Sequence, residues 1–254
     1  MLPIRSISII GTGNAAFQIG RNLNRSGLLI AEVWGRDHQE ALLLADELQA
    51  KVTNPEDFTG DLIFLCLSDD AIETSSLTLS VKIPVIHCSG SKPLSALKNS
   101  GSKGVFYPLQ TMSKTREIDF SEVPILVEAD SKELLESLKC LGTMISKKVF
   151  EVNSENRSHY HVSAVMVNNF INHLIYLSQE ELRKNELDLS LLKPLILETI
   201  EKAFDLDPYQ AQTGPARRGD KKVIEEHSTK LSGHTKEIYD AFSSSILSTY
   251  HDQL

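Results

Sequence analysis

Short apolar runs alternate with amphipathic segments over roughly the first 150 positions of the chain. The apolar runs are rich in β-branched residues and predict strands near residues 7–10, 29–34, 62–67, 84–87, 104–107, 123–127 and 145–149. Helical periodicity lies between several of them, over residues 14–25, 37–49, 71–79 and 132–141. Because strands that alternate with helices form parallel sheets covered on both faces, the pattern indicates a doubly wound α/β fold.

The pattern changes after residue 150, where strand signals nearly vanish. Residues 158–179 contain no Asp, Glu, Lys or Arg and predict one long helix. Its three asparagines, three histidines and two tyrosines argue against a transmembrane span, so we expect a helix that is buried on most sides. Further helices are predicted over residues 190–204, 221–230 and 236–250. We therefore predict a Rossmann sheet domain over residues 1–150 and an all-helical domain over residues 151–254.

The first predicted strand–helix turn carries a nucleotide-binding fingerprint. The segment Gly11-Thr12-Gly13-Asn14-Ala15-Ala16 has the G-x-G-x-x-A spacing. Gly11 would allow a tight turn, Gly13 would let a pyrophosphate approach the backbone, and Ala16 would let the helix pack closely. The free N–H groups and the dipole of the first helical turn attract phosphate. The alternative is a glycine-rich turn that binds nothing. Under the first interpretation, the cofactor contacts are Gly11, Thr12, Gly13, Asn14 and Ala15.

The end of the second predicted strand indicates which dinucleotide is bound. Enzymes that select NAD usually place an Asp or Glu there for the ribose hydroxyls, but Gly35 occupies about that place and Arg36 follows. A guanidinium can pair with the 2′-phosphate of NADP. Asp37 fits the N-cap of the next helix better than a ribose ligand. We therefore predict NADP as the cofactor, with a solvated surface role as the alternative for Arg36.

Three polar segments follow predicted strands at the edge of the sheet where ligands bind. In open α/β sheets, this edge lies at the carboxyl ends of the strands. Leu67-Ser68-Asp69 would border the cofactor there, although Ser68 also suits the N-cap of the next helix. The other two segments are His87-Cys88-Ser89-Gly90 and Tyr107-Pro108-Leu109-Gln110. From them we expect the substrate contacts His87, Gly90, Tyr107 and Gln110.

The uncharged helix would form the far wall of this site. At about 100° per residue, Asn169 and His173 fall on one side of the helix, opposite the larger apolar residues. A stripe of neutral hydrogen-bonding groups fits either a lined cleft or a polar subunit interface. We predict that Asn169 donates to a substrate oxygen and that His173 supplies a proton; alternatively, the two satisfy each other. Arg217 or Arg218, from the same chain or from a partner subunit, would pair with a substrate carboxylate.

Composition narrows the classes of protein that remain. The 254 residues are 41% hydrophobic and 24% charged, an ordinary globular balance, and the net charge of −8 argues against a nucleic-acid binder. Three cysteines fit reduced thiols in a cytoplasmic protein better than disulfides or a zinc site, so we expect no metal. Met1 runs almost directly into the first strand without a signal-peptide pattern. The uncharged helix needs more cover than the helical domain provides, which predicts a homodimer through that domain.

Four motifs together resemble those of a known family. The chain is similar to predicted NADP-dependent oxidoreductases of the 6-phosphogluconate dehydrogenase-like superfamily, which join a Rossmann domain to a helical domain of unknown function. The chain departs from the family pattern at Tyr107, where a histidine is more frequent. The motifs are Gly11-Thr12-Gly13-Asn14-Ala15-Ala16, His87-Cys88-Ser89-Gly90, Tyr107-Pro108-Leu109-Gln110-Thr111 and Thr213-Gly214-Pro215-Ala216-Arg217-Arg218-Gly219-Asp220.

The resemblance implies an activity and further site residues. The wider kin are pyrroline-5-carboxylate, ketopantoate and deazaflavin-dependent NADP reductases and the β-hydroxyacid dehydrogenases. In the hydroxyacid enzymes, a serine-glycine loop and an amide or lysine on the long helix contact the substrate. Ser89, Gly90 and Asn169 match those places, which makes Ser89 a catalytic candidate, whereas the long helix has no lysine.

The implied function is hydride transfer from NADPH to a small carbonyl or imine acid, with a ketopantoate-type 2-oxo acid as the first substrate to test. Two alternatives share the cofactor. One is a non-catalytic protein that senses the redox state of NADP. The other is a deazaflavin-dependent NADP reductase, which would need a wide apolar cleft.

Overall fold

The computed structural model describes residues 2–79 and 82–251 of the chain. It divides into two compact units between Asn168 and Asn169. The strands end at Glu151, and the run of helices begins at Ser154. Because the change of secondary structure and the division between the units fall at different places, the domain boundary at residue 150 stays a prediction.

The first unit contains eight strands and five helices among its described residues. Its strands are β1 (Ser6–Ile10), β2 (Leu29–Trp34), β3 (Lys51–Val52), β4 (Leu62–Leu65), β5 (Val85–His87), β6 (Lys103–Pro108), β7 (Ile125–Ala129) and β8 (Val149–Glu151). Its helices are α1 (Asn14–Arg25), α2 (His38–Leu48), α3 (Asp69–Thr78), α4 (Lys132–Thr143) and α5 (Ser154–Ala164). Short 3₁₀ turns cover Pro55–Asp57 and Leu94–Ala96.

The strands form one sheet in the order β3-β2-β1-β4-β5-β6-β7-β8. The pairs from β3 to β6 are parallel, β7 runs antiparallel to β6, and β8 is parallel to β7. The first six strands therefore have the 3-2-1-4-5-6 order of a dinucleotide-binding sheet, whose switch point lies between β1 and β4. The predicted doubly wound fold is confirmed, and the edge strand β3 was not predicted.

Two apolar layers pack on opposite faces of the sheet, because successive side chains of a strand point to opposite faces. Ile9 belongs to the larger core together with the apolar residues of α1, α2 and α4. Its neighbour Ile10 belongs to a smaller core with Ile72 of α3. Both faces are thus covered by helices, which explains why the central strands are almost uninterrupted apolar runs.

The predicted strand over residues 145–149 is wrong in its position. After α4 the backbone turns, and the N–H groups of Ile145 and Ser146 both donate to the carbonyl of Gly142, at 3.1 and 2.9 Å. The Ser146 hydroxyl then donates to the carbonyl of Val123 at 2.6 Å. These amides are used by the helix end, so the chain enters the sheet only at Val149.

The long uncharged helix is present, but it is not regular. A π-helical segment, Val165–Phe170, separates α5 from α6 (Ile171–Arg183). Because a π-helix has more residues per turn than an α-helix, the constant 100° projection is wrong across this segment. Nor is the helix buried on most sides within the single chain, since Val162, Met166 and Val167 are 57–66% exposed.

The second unit is helical throughout its described residues. After α6, a 3₁₀ turn (Leu189–Leu192) leads into α7 (Lys193–Leu206), α8 (Pro208–Ala211), α9 (Pro215–Arg218), α10 (Lys221–Lys230) and α11 (Gly233–His251). The helices predicted after residue 190 are confirmed, and the short helices α8 and α9 were not predicted. Among the described helices, none combines the length and the apolarity that a membrane crossing requires.

Candidate functional site

The fingerprint turn after β1 has the backbone that its glycines predict. Gly11 has φ +116°, and a Cβ atom there would overlap the carbonyl oxygen of Cys66, so a larger residue is excluded. A Cβ atom at Gly13 would meet no described atom within 4 Å, which leaves the backbone open to a ligand. Among the described residues, no side chain caps α1. Its first-turn amides are therefore available to a phosphate, and the turn fits a dinucleotide.

Three further fingerprint residues line the same turn. Asn14 is exposed, and its side-chain oxygen accepts the N–H of Lys114 at 3.2 Å. Ala15 is half-buried against the larger core. Thr12 lies beside the end of β2, where a Cβ atom on Gly35 would be 2.5 Å from the Thr12 Cγ2 atom. The turn and the end of β2 therefore pack against each other through the missing side chain of Gly35.

The residues after β2 match the sequence prediction for the cofactor in part. Asp37 is confirmed as the N-cap of α2, since its carboxylate accepts the N–H groups of Gln39 and Glu40 at 2.9 and 3.2 Å. It is thus occupied by the helix. Arg36 is exposed. A cationic side chain, without a free carboxylate from Asp37 beside it, is compatible with a phosphate on the ribose.

Asp69, the first residue of α3, holds the loop that follows β5. Its carboxylate accepts a hydrogen bond from the Ser91 hydroxyl. Burial opposes ionisation, but hydrogen bonds from Ser91 and Ser89 outweigh it and lower the pKa of Asp69. Leu67 is half-buried against the smaller core. Ser68 stands at the N-cap position and is exposed, but its side chain makes no capping hydrogen bond among the described residues.

Ser89 is buried and organises its own loop. Its hydroxyl oxygen accepts the N–H groups of Ser91 and Lys92 at 3.2 and 3.0 Å. The hydroxyl also lies 3.4 Å from the Ser91 hydroxyl. This side chain therefore fixes the shape of the loop, and its catalytic role stays a prediction.

His87 is fully buried at the end of β5. Its Nδ1 atom accepts the N–H of Ser89 at 3.1 Å, so the ring hydrogen is on Nε2, which points to the carbonyl of Pro93 at 3.4 Å. Burial, and then the positive charge of Arg157, lower the pKa of His87 to about 4. The ring is thus neutral near pH 7, and both nitrogens are used within the loop. A substrate contact for His87 stays a prediction.

Tyr107 meets a histidine that the sequence analysis did not select. The Tyr107 hydroxyl is 3.0 Å from Nδ1 of His161 on α5. Both rings close over Gly90, where a Cβ atom would lie 2.5 Å from His161 Nδ1 and 2.7 Å from Tyr107 Cζ. Gly90 therefore makes room for the hydrogen bond. Burial raises the pKa of Tyr107, so the phenol keeps its proton at neutral pH.

A buried ion pair anchors the beginning of α5. Arg157 is 0% exposed, and its guanidinium donates to the carboxylate of Glu128 on β7 and to the carbonyl of Lys92 at 2.7 Å. Arg157 precedes His161 by one helical turn, so both side chains project from the same face of α5. The ion pair thereby fixes the position from which His161 reaches Tyr107.

The remaining predicted site residues are exposed or lie in the second unit. Gln110 is exposed, and its side-chain oxygen accepts the N–H of Thr111 at 2.8 Å. Asn169 and His173 are exposed, and His173 stacks on Tyr176 with the ring centroids 6.0 Å apart.

The two predicted arginines of the second unit lie in α9. The Arg217 guanidinium lies 4.1 Å from the centre of the Tyr250 ring, and Arg218 is exposed. Placement of these groups beside the first unit stays a prediction.

The structure brings together Asp69, Ser89, Gly90 and Tyr107 at the carboxyl edge of the sheet, and it adds His161. A phenol hydrogen-bonded to an imidazole can deliver a proton. Over the described residues, no group of three or more His, Cys, Asp or Glu side chains is placed to hold a metal ion. His161 lies within the uncharged segment of the sequence, but nothing in the sequence indicated which residue it meets.

Comparison with known proteins agrees with this architecture. Residues 123–246 match the model of a domain of unknown function, DUF2520. The crystal structure of a putative NADP oxidoreductase from Bacteroides fragilis is similar with a TM-score of 0.90 and 34% identity, over 97% of this chain and 99% of that chain. No curated protein sequence matches the chain.

Two more distant structures share the fold. A protein from Thermotoga maritima has a TM-score of 0.79 and 23% identity, over 94% of this chain and 97% of that chain. An imine reductase from Myxococcus stipitatus in complex with NADP⁺ has a TM-score of 0.66 and 13% identity, over 97% of this chain and 93% of that chain.

The resemblance inferred from the four sequence motifs is confirmed by the family match and by the similarity over nearly the whole chain. The chain therefore belongs to the same family as the putative NADP oxidoreductase from Bacteroides fragilis, in which a Rossmann-like N-terminal half precedes a DUF2520 domain.

Proposed function

We propose that the protein is an NADPH-dependent reductase of a small carbonyl or imine acid. The observation that carries the proposal is the open fingerprint turn at Gly13, at the switch point of a 3-2-1-4-5-6 sheet, with Arg36 at the end of β2. The first half of such a sheet holds the adenosine end of a dinucleotide. The nicotinamide end then lies over β4, β5 and β6, where Asp69, Gly90 and Tyr107 meet.

When bound, NADPH supplies the hydride, and the residues of the chain bind and orient both reactants. Arg36 would pair with the 2′-phosphate, and the amides of Asn14 and Ala15 would hold the pyrophosphate. Under this proposal, Asn169 donates to the substrate heteroatom and Arg218 pairs with the substrate carboxylate. The proton donor expected from the sequence is His173.

Two substrate chemistries fit the proposal. Ketopantoate, a 2-oxo acid, is the carbonyl acid suggested by the sequence resemblance. The imine reductase named above shares the fold and acts on C=N bonds, which supports a cyclic imine acid as the second class. Both are small, planar at the reacting carbon, and anionic, so one binding arrangement with an arginine serves either.

A homodimer formed through the helical domain and a cytoplasmic location belong to the same proposal. In the second unit, no large apolar side chain of the described residues is buried, whereas Leu191 and Phe204 are 79% and 89% exposed. A second copy of the chain would cover these groups.

Cofactor titration tests the proposal directly. We expect NADPH to bind the wild type about ten- to a hundredfold more tightly than NADH, and Arg36→Ala to remove most of that preference, because a charge-assisted hydrogen bond is lost. Arg5→Ala is the matched control, since Arg5 is exposed at the opposite, amino end of β1. Equal affinities of the wild type for both cofactors would contradict the choice of NADP.

Turnover separates the reductase from its alternatives. Stopped-flow oxidation of bound NADPH is measured with ketopantoate and with 1-pyrroline-5-carboxylate. Oxidation with either probe supports the reductase. NADPH binding without oxidation by any probe favours a redox sensor, and absorbance change of an added deazaflavin favours the deazaflavin-dependent reductase.

A further inference from the structure

The contact between Tyr107 and His161 has the geometry of a proton-transfer pair. We propose that Tyr107 donates the proton to the substrate heteroatom and that His161 returns a proton to Tyr107. The inference rests on the proposed reductase function and names the proton donor of that reaction. It assigns a role to His161, a residue that the sequence motifs do not contain.

The position of the pair supports a direct role. Tyr107 is near the carboxyl end of β6, next to Gly90 at the end of the β5 loop, in the half of the sheet that serves the nicotinamide end. Tyr107 and His161 are both only half-buried, so a ligand at the sheet edge can reach the phenol. By contrast, His87 in the adjoining loop is fully buried with both nitrogens used.

The loop around the pair is built to hold the two rings together. A side chain at position 90 would occupy the space between His161 Nδ1 and Tyr107 Cζ. Arg157, one turn before His161, ties α5 to Glu128 and to the Lys92 carbonyl. The two rings are therefore held by packing against Gly90 and, one turn away on α5, by a buried ion pair, as a positioned donor requires.

The proton and electron balance is simple. Hydride transfer forms a C–H bond at the substrate carbon and moves the π electron pair of C=O or C=N onto the heteroatom. The Tyr107 O–H bond breaks, and its proton forms an O–H or N–H bond on the substrate. Protonated His161 gives its Nδ1 proton to the Tyr107 oxygen, which leaves a neutral ring with its hydrogen on Nε2, and Nδ1 then takes up one hydronium proton from the solvent. In sum, NADPH becomes NADP⁺ and the substrate gains one hydride and one proton.

Tyr107→Phe tests the donor, because the ring is kept and only the hydroxyl is removed. We expect kcat with ketopantoate or 1-pyrroline-5-carboxylate to fall on the order of a hundredfold, while KM and the Kd of NADPH stay within about twofold. Phenolate absorbance during alkaline titration should lose a late-ionising tyrosine in this variant, because burial raises the pKa of Tyr107.

The chain supplies a matched control. Tyr239 in the second unit makes the same contact with a histidine, its hydroxyl lying 3.0 Å from His227 Nδ1. Tyr239→Phe removes a hydroxyl from an equivalent hydrogen bond and should leave kcat unchanged.

Gly90→Ala tests the geometry of the pair. It places a methyl group between the rings of Tyr107 and His161, so we expect it to lower kcat as Tyr107→Phe does.

His161→Gln tests the relay, since an amide can hold the phenol but cannot titrate. The charged groups around the pair are Asp69 on α3, Arg157 on α5 and Lys92 after β5. We expect His161→Gln to lower kcat at least about tenfold and to change the pH profile of kcat, while KM stays within about twofold, because the phenol is still held but is no longer reprotonated.

The outcomes distinguish this inference from the proposed function. Wild-type turnover with unchanged kcat in Tyr107→Phe would overturn the inference and leave the reductase intact. An equal loss in Tyr107→Phe and Tyr239→Phe, or loss of NADPH binding in Tyr107→Phe, would also overturn it. Absence of wild-type turnover with every probe would remove the reductase, and the proton donor with it.

Discussion

At the scale of single residues, burial keeps the His87 ring neutral, and the stability of the fold depends on that neutral state. The ring is fully buried, donates to one backbone carbonyl and accepts one backbone N–H. A protonated ring would lose the acceptor at Nδ1 and would carry an unsolvated charge beside Arg157. The loop that holds Ser89 and Gly90 is therefore built on a neutral histidine.

His87 predicts a pH dependence of stability. Its pKa is about 4 in the folded chain and about 6.5 in the unfolded chain, so between these values only the unfolded form binds the proton. Stability is therefore full above about pH 6.5 and falls toward pH 4, by about 3 kcal/mol from this residue. Urea unfolding measures this effect in the wild type and in His87→Gln across the same pH range. As the pH falls, the free energies of unfolding of the two proteins should converge or cross.

The exposed His38 supplies the control for this measurement. His38→Gln should follow the wild-type dependence on pH. Parallel curves for the wild type and His87→Gln would contradict the assignment of the dependence to His87.

Single residues were predictable from the sequence where their partner is close along the chain. Asp37 caps an amide two residues away, and Gly11 and Gly13 belong to one turn, so local spacing was sufficient. Tyr107 and His161 are 54 residues apart. Their contact depends on the register of α5 against the sheet, which no local pattern encodes.

At the scale of elements, the placement of α5 depends on the ion pair between Arg157 and Glu128. A buried charge that loses its partner destabilises a protein far more than the pair itself stabilises it. Arg157 is the last charged residue before the uncharged segment, so its position was visible in the sequence. Its burial was not, because an isolated arginine is ordinarily exposed.

The ion pair predicts an asymmetric response to mutation. Glu128→Gln should lower the free energy of unfolding by about 3–5 kcal/mol, because the Arg157 charge stays buried without a full partner. The double variant Glu128→Gln with Arg157→Met removes that charge and should recover part of the loss. Chemical denaturation of the purified variants measures both effects.

An exposed ion pair serves as the control for the buried one. Glu122 lies 2.9 Å from Lys147, and both side chains are largely exposed, so Glu122→Gln should change stability by no measurable amount. A Glu128→Gln variant as stable as Glu122→Gln would show that Arg157 is not buried as described.

Periodicity identified most elements and failed at two specific places. Ile145 begins the run that predicted a strand, but the end of α4 uses the amides of Ile145 and Ser146, and the Lys147 amide donates to the carbonyl of Ser121. Local periodicity does not encode these contacts. The π-helical segment Val165–Phe170 has the same uncharged composition as the α-helical residues on either side of it, so no local pattern signals the change in turn. The first error shifted the boundary of β8 and the second changed which side chains share a face of the helix, but neither changed the predicted fold.

At the scale of the whole molecule, the two units differ in how much apolar surface they bury. The first unit has an apolar core on each face of its sheet. Within the described part of the second unit, the buried residues are Ala211, Ala216, Ser228 and Ser243. Since burial of large apolar side chains is the main source of folding free energy, the second unit needs cover from outside itself.

The cover proposed here is a second copy of the chain. Light scattering at micromolar concentration should show a dimer, and Phe204→Glu should weaken it by at least about tenfold, because burying a phenylalanine contributes about 1.5–3 kcal/mol. Leu43→Glu on α2 is the control, since Leu43 is also exposed but lies in the first unit. A monomeric wild type at this concentration would contradict the proposal.

The contact between Thr12 and Gly35 has a consequence for how cofactor preference can evolve in this chain. An acidic residue at position 35, the simplest route toward NADH, would bring its Cβ atom to 2.5 Å from Thr12 Cγ2. Thr12 must therefore shift or be replaced before the carboxylate gains anything. Selection for NADH therefore meets a first step with little benefit unless Thr12, 23 residues away, shifts or is replaced at the same time. Under the proposed choice of NADP, packing at Thr12 would therefore protect the preference together with the charge of Arg36.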